Sequence, residues 1–283
     1  MPGFQKNLPR VATASNASDV MPPLNVLVTG ASGLIGGSLF QHLQRNPETY
    51  RPFGVSRRSV SSDRVSPDFV PDRSSGRFRV ADLSEEKEAR RSAEGMDAVV
   101  HLAADPRGDA PWESILKNNI IATRNVFEAC RQANVKRVIF ASSIMVSWGY
   151  RSEEPYLSLA KGRPGLIPES IPMVTHQSQV RPTTDYAAGK LLGEAQAQSL
   201  ADTSDISAIC VRIGWVVPEN TPPSTGQDIW CSLGDINRLI ECALKAPDEL
   251  SFGIFYGLSE SPYRWLDIAH GREVLGYVPE DSV

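Results

Sequence analysis

Cysteine and histidine are scarce in this chain, with four of each among 283 residues. Cys130, Cys210, Cys231 and Cys242 lie far apart and lack zinc-type pairing, so no disulfide framework is implied. The expected setting is a reduced, cytoplasmic one. The histidines do not cluster either, which argues against a metal site. No apolar run approaches the ~20 residues that span a bilayer. Neither sign of charge dominates: the formal net charge is −4, a poor match to nucleic acid. Residues 1–23 have no hydrophobic period and no arginine-rich amphipathic helix, and read as a flexible tail.

What remains is long enough to bury one large core. From residue 24 onward, apolar runs alternate with helical patterns. Strands are expected at Leu24–Val28, Phe53–Ser56, Arg77–Val80, Asp97–His101, Arg137–Ala141 and Ser207–Arg212. Helices are expected at Gly33–Gln44, Ser84–Ala93, Glu113–Ala133 and Thr184–Leu200. Strands that are apolar nearly throughout, separated by helices, imply a parallel sheet covered on both faces. The fold class is therefore α/β, a Rossmann-type doubly wound sheet. Residues 24–214 would form the dinucleotide-binding domain. Residues 215–283 would form a small C-terminal substrate-binding region.

Two segments carry the chemistry. Thr29-Gly30-Ala31-Ser32-Gly33-Leu34-Ile35-Gly36 follows the first strand and opens the first helix. Such a turn lets backbone amides approach a pyrophosphate, and the helix N-terminus adds partial positive charge. Far downstream, Tyr186 and Lys190 stand four apart, on one face of a helix. A free tyrosine, with a pKa near ~10, is a poor base at neutral pH. A neighbouring ammonium and a bound nicotinamide would favour the phenolate and lower that value. Tyr186 could then exchange a proton with a substrate hydroxyl. Ser143, at the end of the fifth strand, would hold the substrate oxygen.

Several motifs in order extend this picture: the glycine turn, Asp82-Leu83, His101-Leu102-Ala103-Ala104, Asn119, Ser143, and Tyr186 with Lys190. Together they resemble the extended, epimerase/dehydratase-like short-chain dehydrogenases over nearly everything after residue 23. The resemblance implies a catalytic set of Ser143, Tyr186, Lys190 and Asn119, the last supporting a relay water. It implies a cofactor site of Gly30, Ser32, Gly33, Leu34, Ile35, Gly36, Asp82, Leu83, Leu102, Ala103, Ala104, Asn119, Tyr186, Lys190 and Ile213. It also implies a homodimer paired through helices 113–133 and 184–200.

The second strand runs into Arg57-Arg58 with no acidic residue for a ribose 2′-hydroxyl. A guanidinium pair suits a 2′-phosphate, which favours NADP(H) over NAD(H). The alternative is a solvated basic stretch that also holds Arg64, Arg73, Arg77 and Arg79.

Among subfamilies, the chain is most similar to the uronate dehydrogenase-like group, through Phe140–Ser143, Val211–Gly214 and the run from Trp230 to Pro279. It departs at the substrate positions, where Pro106, Ile144, Met145 and Trp215 replace smaller or polar residues. No arginine occurs between Arg212 and Arg238 to clamp a carboxylate, so hexuronates are not expected substrates. Residues 149–182 form a long loop, a lid or a structural rim. The expected function is hydride transfer between a nicotinamide and a small hydroxyl or carbonyl substrate. A nucleotide-sugar epimerase or dehydratase, and a non-catalytic NADP-binding regulator, are the alternatives.

Overall fold

A computed structural model describes residues 22–60, 65, 76–161 and 169–283. Most of the 1–23 tail, Arg64, Arg73 and the Gly162–Gly165 part of the long loop fall outside the described residues.

Among the described residues, seven strands form one wholly parallel sheet in the order β3-β2-β1-β4-β5-β6-β7. They are β1 (Leu24–Thr29), β2 (Tyr50–Ser56), β3 (Phe78–Val80), β4 (Ala98–His101), β5 (Arg137–Ser143), β6 (Ser207–Ile213) and β7 (Phe252–Gly257). The order reverses between β1 and β4, and a crevice opens there beyond the strand ends.

Alternation along each strand assigns side chains to the two faces. Val26, Val28, Val100, Ile139 and Val211 pack with α1 (Leu34–Gln44) and α7 (Leu233–Leu244). Leu27, Val99, Val138, Phe140 and Cys210 pack with α2 (Glu86–Ala93), α4 (Ala122–Gln132) and α6 (Asp185–Asp202). Full burial of such a side chain contributes roughly 1.5–3 kcal/mol. The doubly wound parallel fold read from the sequence is the fold observed.

Three features differ from the sequence reading. The long helix is not uniform: α3 (Trp112–Ile115) passes through a π-helical stretch, Leu116–Ile121, before α4. Ser143 is followed at once by a 3₁₀ helix, Ile144–Ser152, and then by α5 (Tyr156–Ala160). Beyond residue 214 the chain supplies α7, β7 and α8 (Ala269–Leu275), none of which the apolar pattern marked. In β7, Gly253 and Gly257 hide the strand signal. A Cβ at Gly253 would lie 2.6 Å from the Phe255 ring.

Buried Arg137 on β5 donates to the carbonyls of Leu244 and Ala246 at 2.9 and 2.7 Å. It thereby satisfies the open C-terminal end of α7. The chain after Ser143 also contributes to the core. Ile144, Tyr156, Leu159 and Val174 share an apolar cluster with Ile229, Trp265 and Leu266.

Candidate active site

The glycine turn is sterically specified. Gly30 sits at φ +69°, and a Cβ there would lie 3.0 Å from the Ala103 nitrogen. A Cβ at Gly36 would fall 2.2 Å from the Gly30 carbonyl oxygen. Gly33 is the N-cap of α1 and no side chain caps that end. The first amides of α1 are thus available to an anion.

Two cavities of about 640 and 740 Å³ open from this turn and share Gly33, Leu34, Leu102, Ala104 and Pro106. The larger also takes in Gly30, Ser32, Arg57, Arg58, Asp82, Leu83 and Ala103. Arg57 donates through Nη1 to the Asn118 Oδ1. Asp82 accepts from the Ser84 amide at 3.0 Å and faces Lys117 at 3.1 Å. The smaller cavity gathers Ile35, Gly36, Ser143, Ile144, Met145, Tyr186, Lys190, Ile213 and Trp215. Residues quoted from opposite ends of the chain therefore line one cleft.

Local chemistry explains each position. β5 and β6 run in register so that Ser143 pairs with Ile213 at their ends. The Ser143 hydroxyl oxygen accepts from the Met145 amide at 3.1 Å and caps the 3₁₀ helix. Thr184 caps α6 by accepting from the Ala187 amide at 3.2 Å. This places Tyr186 and Lys190 in the first two turns of α6. Gly193 lets α6 lie close on β5, because a Cβ there would be 2.3 Å from the Phe140 ring.

Lys190 is buried, donates to the Ala141 carbonyl at 2.6 Å, and has its Nζ 5.7 Å from the Tyr186 ring centre. Burial pushes its pKa down to about 8. Tyr186 moves the other way from the sequence expectation. Burial pushes its phenol up to about 12, with Asp105 adding to the rise and a hydrogen bond with Ser143 opposing it. Desolvation is the largest influence in this geometry, and without a cofactor's positive charge it keeps the phenol protonated at neutral pH.

Asn119 lines neither cavity. Its carboxamide accepts from the Asp105 amide at 2.7 Å and donates to the Asp105 carbonyl at 3.0 Å. It clamps the loop after β4 to the π-helical stretch. A second clamp runs beside it. The Thr29 hydroxyl accepts from the Leu102 and Ala103 amides, each at 3.0 Å. With both lone pairs used, it gives its proton to His101 Nδ1 at 2.9 Å. His101 is kept neutral: burial, with help from Lys190, drives its pKa to about 3. Its Nε2–H donates to Thr123 at 3.0 Å, and the Thr123 hydroxyl donates to the Asn119 carbonyl at 2.5 Å.

Two further side chains escaped the sequence reading. Asp105 is held well below the usual carboxylate range by hydrogen bonds from Arg107 and Ser114. Arg151, from the 3₁₀ helix, lines the smaller cavity. No arginine follows β6 before Arg238, but Arg151 brings one to the cavity wall from another element.

Residues 26–232 match the NAD dependent epimerase/dehydratase family. The chain belongs to that family. It is an enzyme of the extended short-chain dehydrogenase type within it. The NAD-dependent glucose-6-phosphate dehydrogenase of Haloferax volcanii is 32% identical over 91% of this chain and 93% of its own length. A uronate dehydrogenase of Pseudomonas syringae pv. tomato is 31% identical over 95% of this chain and 86% of its own. Among solved structures, a mutated uronate dehydrogenase superposes with a TM-score of 0.71 at 27% identity, covering 92% of this chain and 82% of that one. The fold of this chain is thus shared with a solved uronate dehydrogenase structure.

Proposed function

We propose that this family member oxidises the anomeric hydroxyl of an aldose to a lactone, passing hydride to a nicotinamide. The observation that carries the reading is the meeting of Ser143, Tyr186 and Lys190 on one cavity that shares walls with the glycine turn. The relatives named as dehydrogenases of glucose 6-phosphate, uronates and L-arabinose support the sugar substrate.

Each side chain has a role in this mechanism. Ser143 donates to the substrate oxygen and orients it toward Tyr186. Tyr186 would take the hydroxyl proton as a phenolate, a form that the positive charge of a bound oxidised nicotinamide would favour against the burial that otherwise keeps the phenol protonated. The C–H hydride departs on the cofactor side. Lys190, fixed on the Ala141 carbonyl, supplies positive charge behind the phenol. The oxidised nicotinamide, when bound, supplies the hydride acceptor and a second positive charge. Asn119 acts here through Asp105 rather than through the cavity wall. Trp215, Val216, Gly226 and Ile229 add a C-terminal wall, in keeping with a substrate role for residues 215–283. Ile144, Met145 and Pro106 make the remaining surface apolar.

NADP(H) is the favoured cofactor and NAD(H) the alternative. Arg57 and Arg58 line the nucleotide cavity where β2 ends, and its acidic members Asp82 and Asp105 are engaged by Lys117 and Arg107. A homodimer through the helical run 113–133 and α6 would use exposed Ile121 on the first and exposed Leu192 on the second. Among the described residues no helix is long and apolar enough to cross a membrane.

The test is spectrophotometric. Purified protein is mixed with NADP⁺ or NAD⁺ and a panel of neutral, phosphorylated and uronic aldoses. Reduced nicotinamide should appear with at least one aldose. Cofactor binding without turnover on any of them would overturn the reading.

A further inference from the structure

The 3₁₀ helix Ile144–Ser152 has three residues per turn, so Met145, Trp148 and Arg151 fall on one face. All three line the smaller cavity. The stripe begins beside Ser143 and ends two turns later at Arg151, ~12 Å along the axis from Met145. One end of the cavity therefore holds the reacting groups and the other a guanidinium.

Arg151 is poised rather than spent. Its side chain is 12% exposed and its partner Asp228 is 3% exposed. Among the described residues, the ion pair is a single contact of 3.4 Å from Nη2 to Asp228 Oδ1. The other Asp228 oxygen is fixed by the Trp265 indole N–H at 2.8 Å. The Trp148 ring lies 4.5 Å from the guanidinium carbon and orients its plane. A guanidinium has five N–H donors, and buried donors are rarely left unused. None of the remaining Arg151 nitrogens is sealed from solvent. A purely structural pair would close those donors on protein. Burial also lowers the Arg151 pKa, a strain that an added anion relieves. The charge of the wall agrees: among the described residues, its charged side chains are Lys190 and Arg151, with no carboxylate among them.

We propose that Arg151 is a specificity-determining residue that receives an oxyanion, phosphate or carboxylate, carried by the aldose at the end remote from the oxidised carbon. This rests on the aldose reading above. A fork of parallel N–H donors suits either anion bidentately, and Asp228 with Trp148 holds the fork in place.

The test compares Arg151→Gln and Arg151→Lys with the unaltered protein, using glucose 6-phosphate, glucuronate and glucose. The ratio of kcat/KM for the acidic over the neutral sugar should fall at least ~30-fold in Arg151→Gln, mainly through KM. Arg151→Lys, with charge but no fork, should recover part of it. Loss confined to the phosphate arm, or to the carboxylate arm, supports the proposal and names the anion. An unchanged ratio overturns it. Calorimetric titration with each sugar keeps the two readings separable. Acidic-sugar binding that Arg151→Gln abolishes, in a protein that transfers no hydride, would sink the dehydrogenase reading and leave the anion site standing. Turnover of glucose without preference for either acidic sugar would do the reverse. The absence of both acidic-sugar binding and acidic-sugar preference overturns the anion site outright.

Discussion

Glu194 and Arg212 form a bidentate ion pair, with both contacts at 2.8 Å and both side chains almost sealed from water. Glu194 stands one turn beyond Lys190 on α6 and also accepts from the Ser142 hydroxyl, next to Ser143. Arg212 on β6 adds a bond to the Tyr256 hydroxyl at 3.0 Å, and Tyr256 meets Ser147 at 2.8 Å. The pair ties α6, β5, β6, β7 and the 3₁₀ helix together behind the cavity.

Removing one partner leaves a buried charge. Arg212→Met should lower stability by about 3–5 kcal/mol. Replacing Glu194 by Leu in the same protein should recover much of that loss. Denaturant melts of the single and double variants measure both. A single variant as stable as the parent would mean the pair contributes little.

Lys190 gives a pH signature. Its folded pKa, about 8, lies below the model-peptide value of 10.5, so the native protein binds fewer protons than the unfolded chain between those values. Stability attributable to Lys190 should therefore rise as pH climbs from about 8 to 10.5. Tyr186, pushed up from 10.0 to about 12, has the opposite sign, and its contribution should fall as pH climbs from 10.0 to about 12. Thermal melts across pH, with Lys190→Met as the reference, isolate the first effect. A difference curve flat from 8 to 10.5 would contradict it.

Tyr186→Phe removes the proposed base and little volume. Turnover should drop by roughly 10²–10⁴-fold. Calorimetric cofactor affinity should stay close to the parent's. Retained turnover would assign the proton transfer elsewhere.

Arg57→Asp replaces a cation with an anion at the end of β2, where both arginines line the nucleotide cavity. The ratio of NADP⁺ to NAD⁺ efficiency should fall at least ~10-fold, consistent with loss of a charge-assisted phosphate contact. An unchanged ratio would leave the solvated-stretch reading of the arginines.

Much of the fold was legible because parallel strands buried on both faces are apolar throughout and stand out between helices. The sixth-strand boundary was one residue short and the fifth two, small errors that left Ser143 at a strand end. β7 was not legible. Its glycines and aromatics mimic a turn-rich coil until α7 and β6 pack on it. The π-helical stretch was hidden as well, since Leu116–Ile121 carries an ordinary helical pattern. Arg151 leaves no mark in the sequence pattern, because 3₁₀ runs of this length are uncommon and their three-residue period is not a general signal.

By itself the sequence determined the local chemistry: where backbone must turn at Gly30, which strand ends hold Ser143, and that Tyr186 and Lys190 share a helix face. These are properties of short segments, fixed by sterics and periodicity. Only the tertiary structure decided what depends on distant neighbours. Burial, not the adjacent lysine, sets the Tyr186 proton. Two threonines from different elements fix the His101 tautomer. Arg151 reaches the cavity because a 3₁₀ helix and an aspartate 77 residues away hold it there. Desolvation and long-range pairing have no trace in a one-dimensional pattern, and they govern the charges of this site.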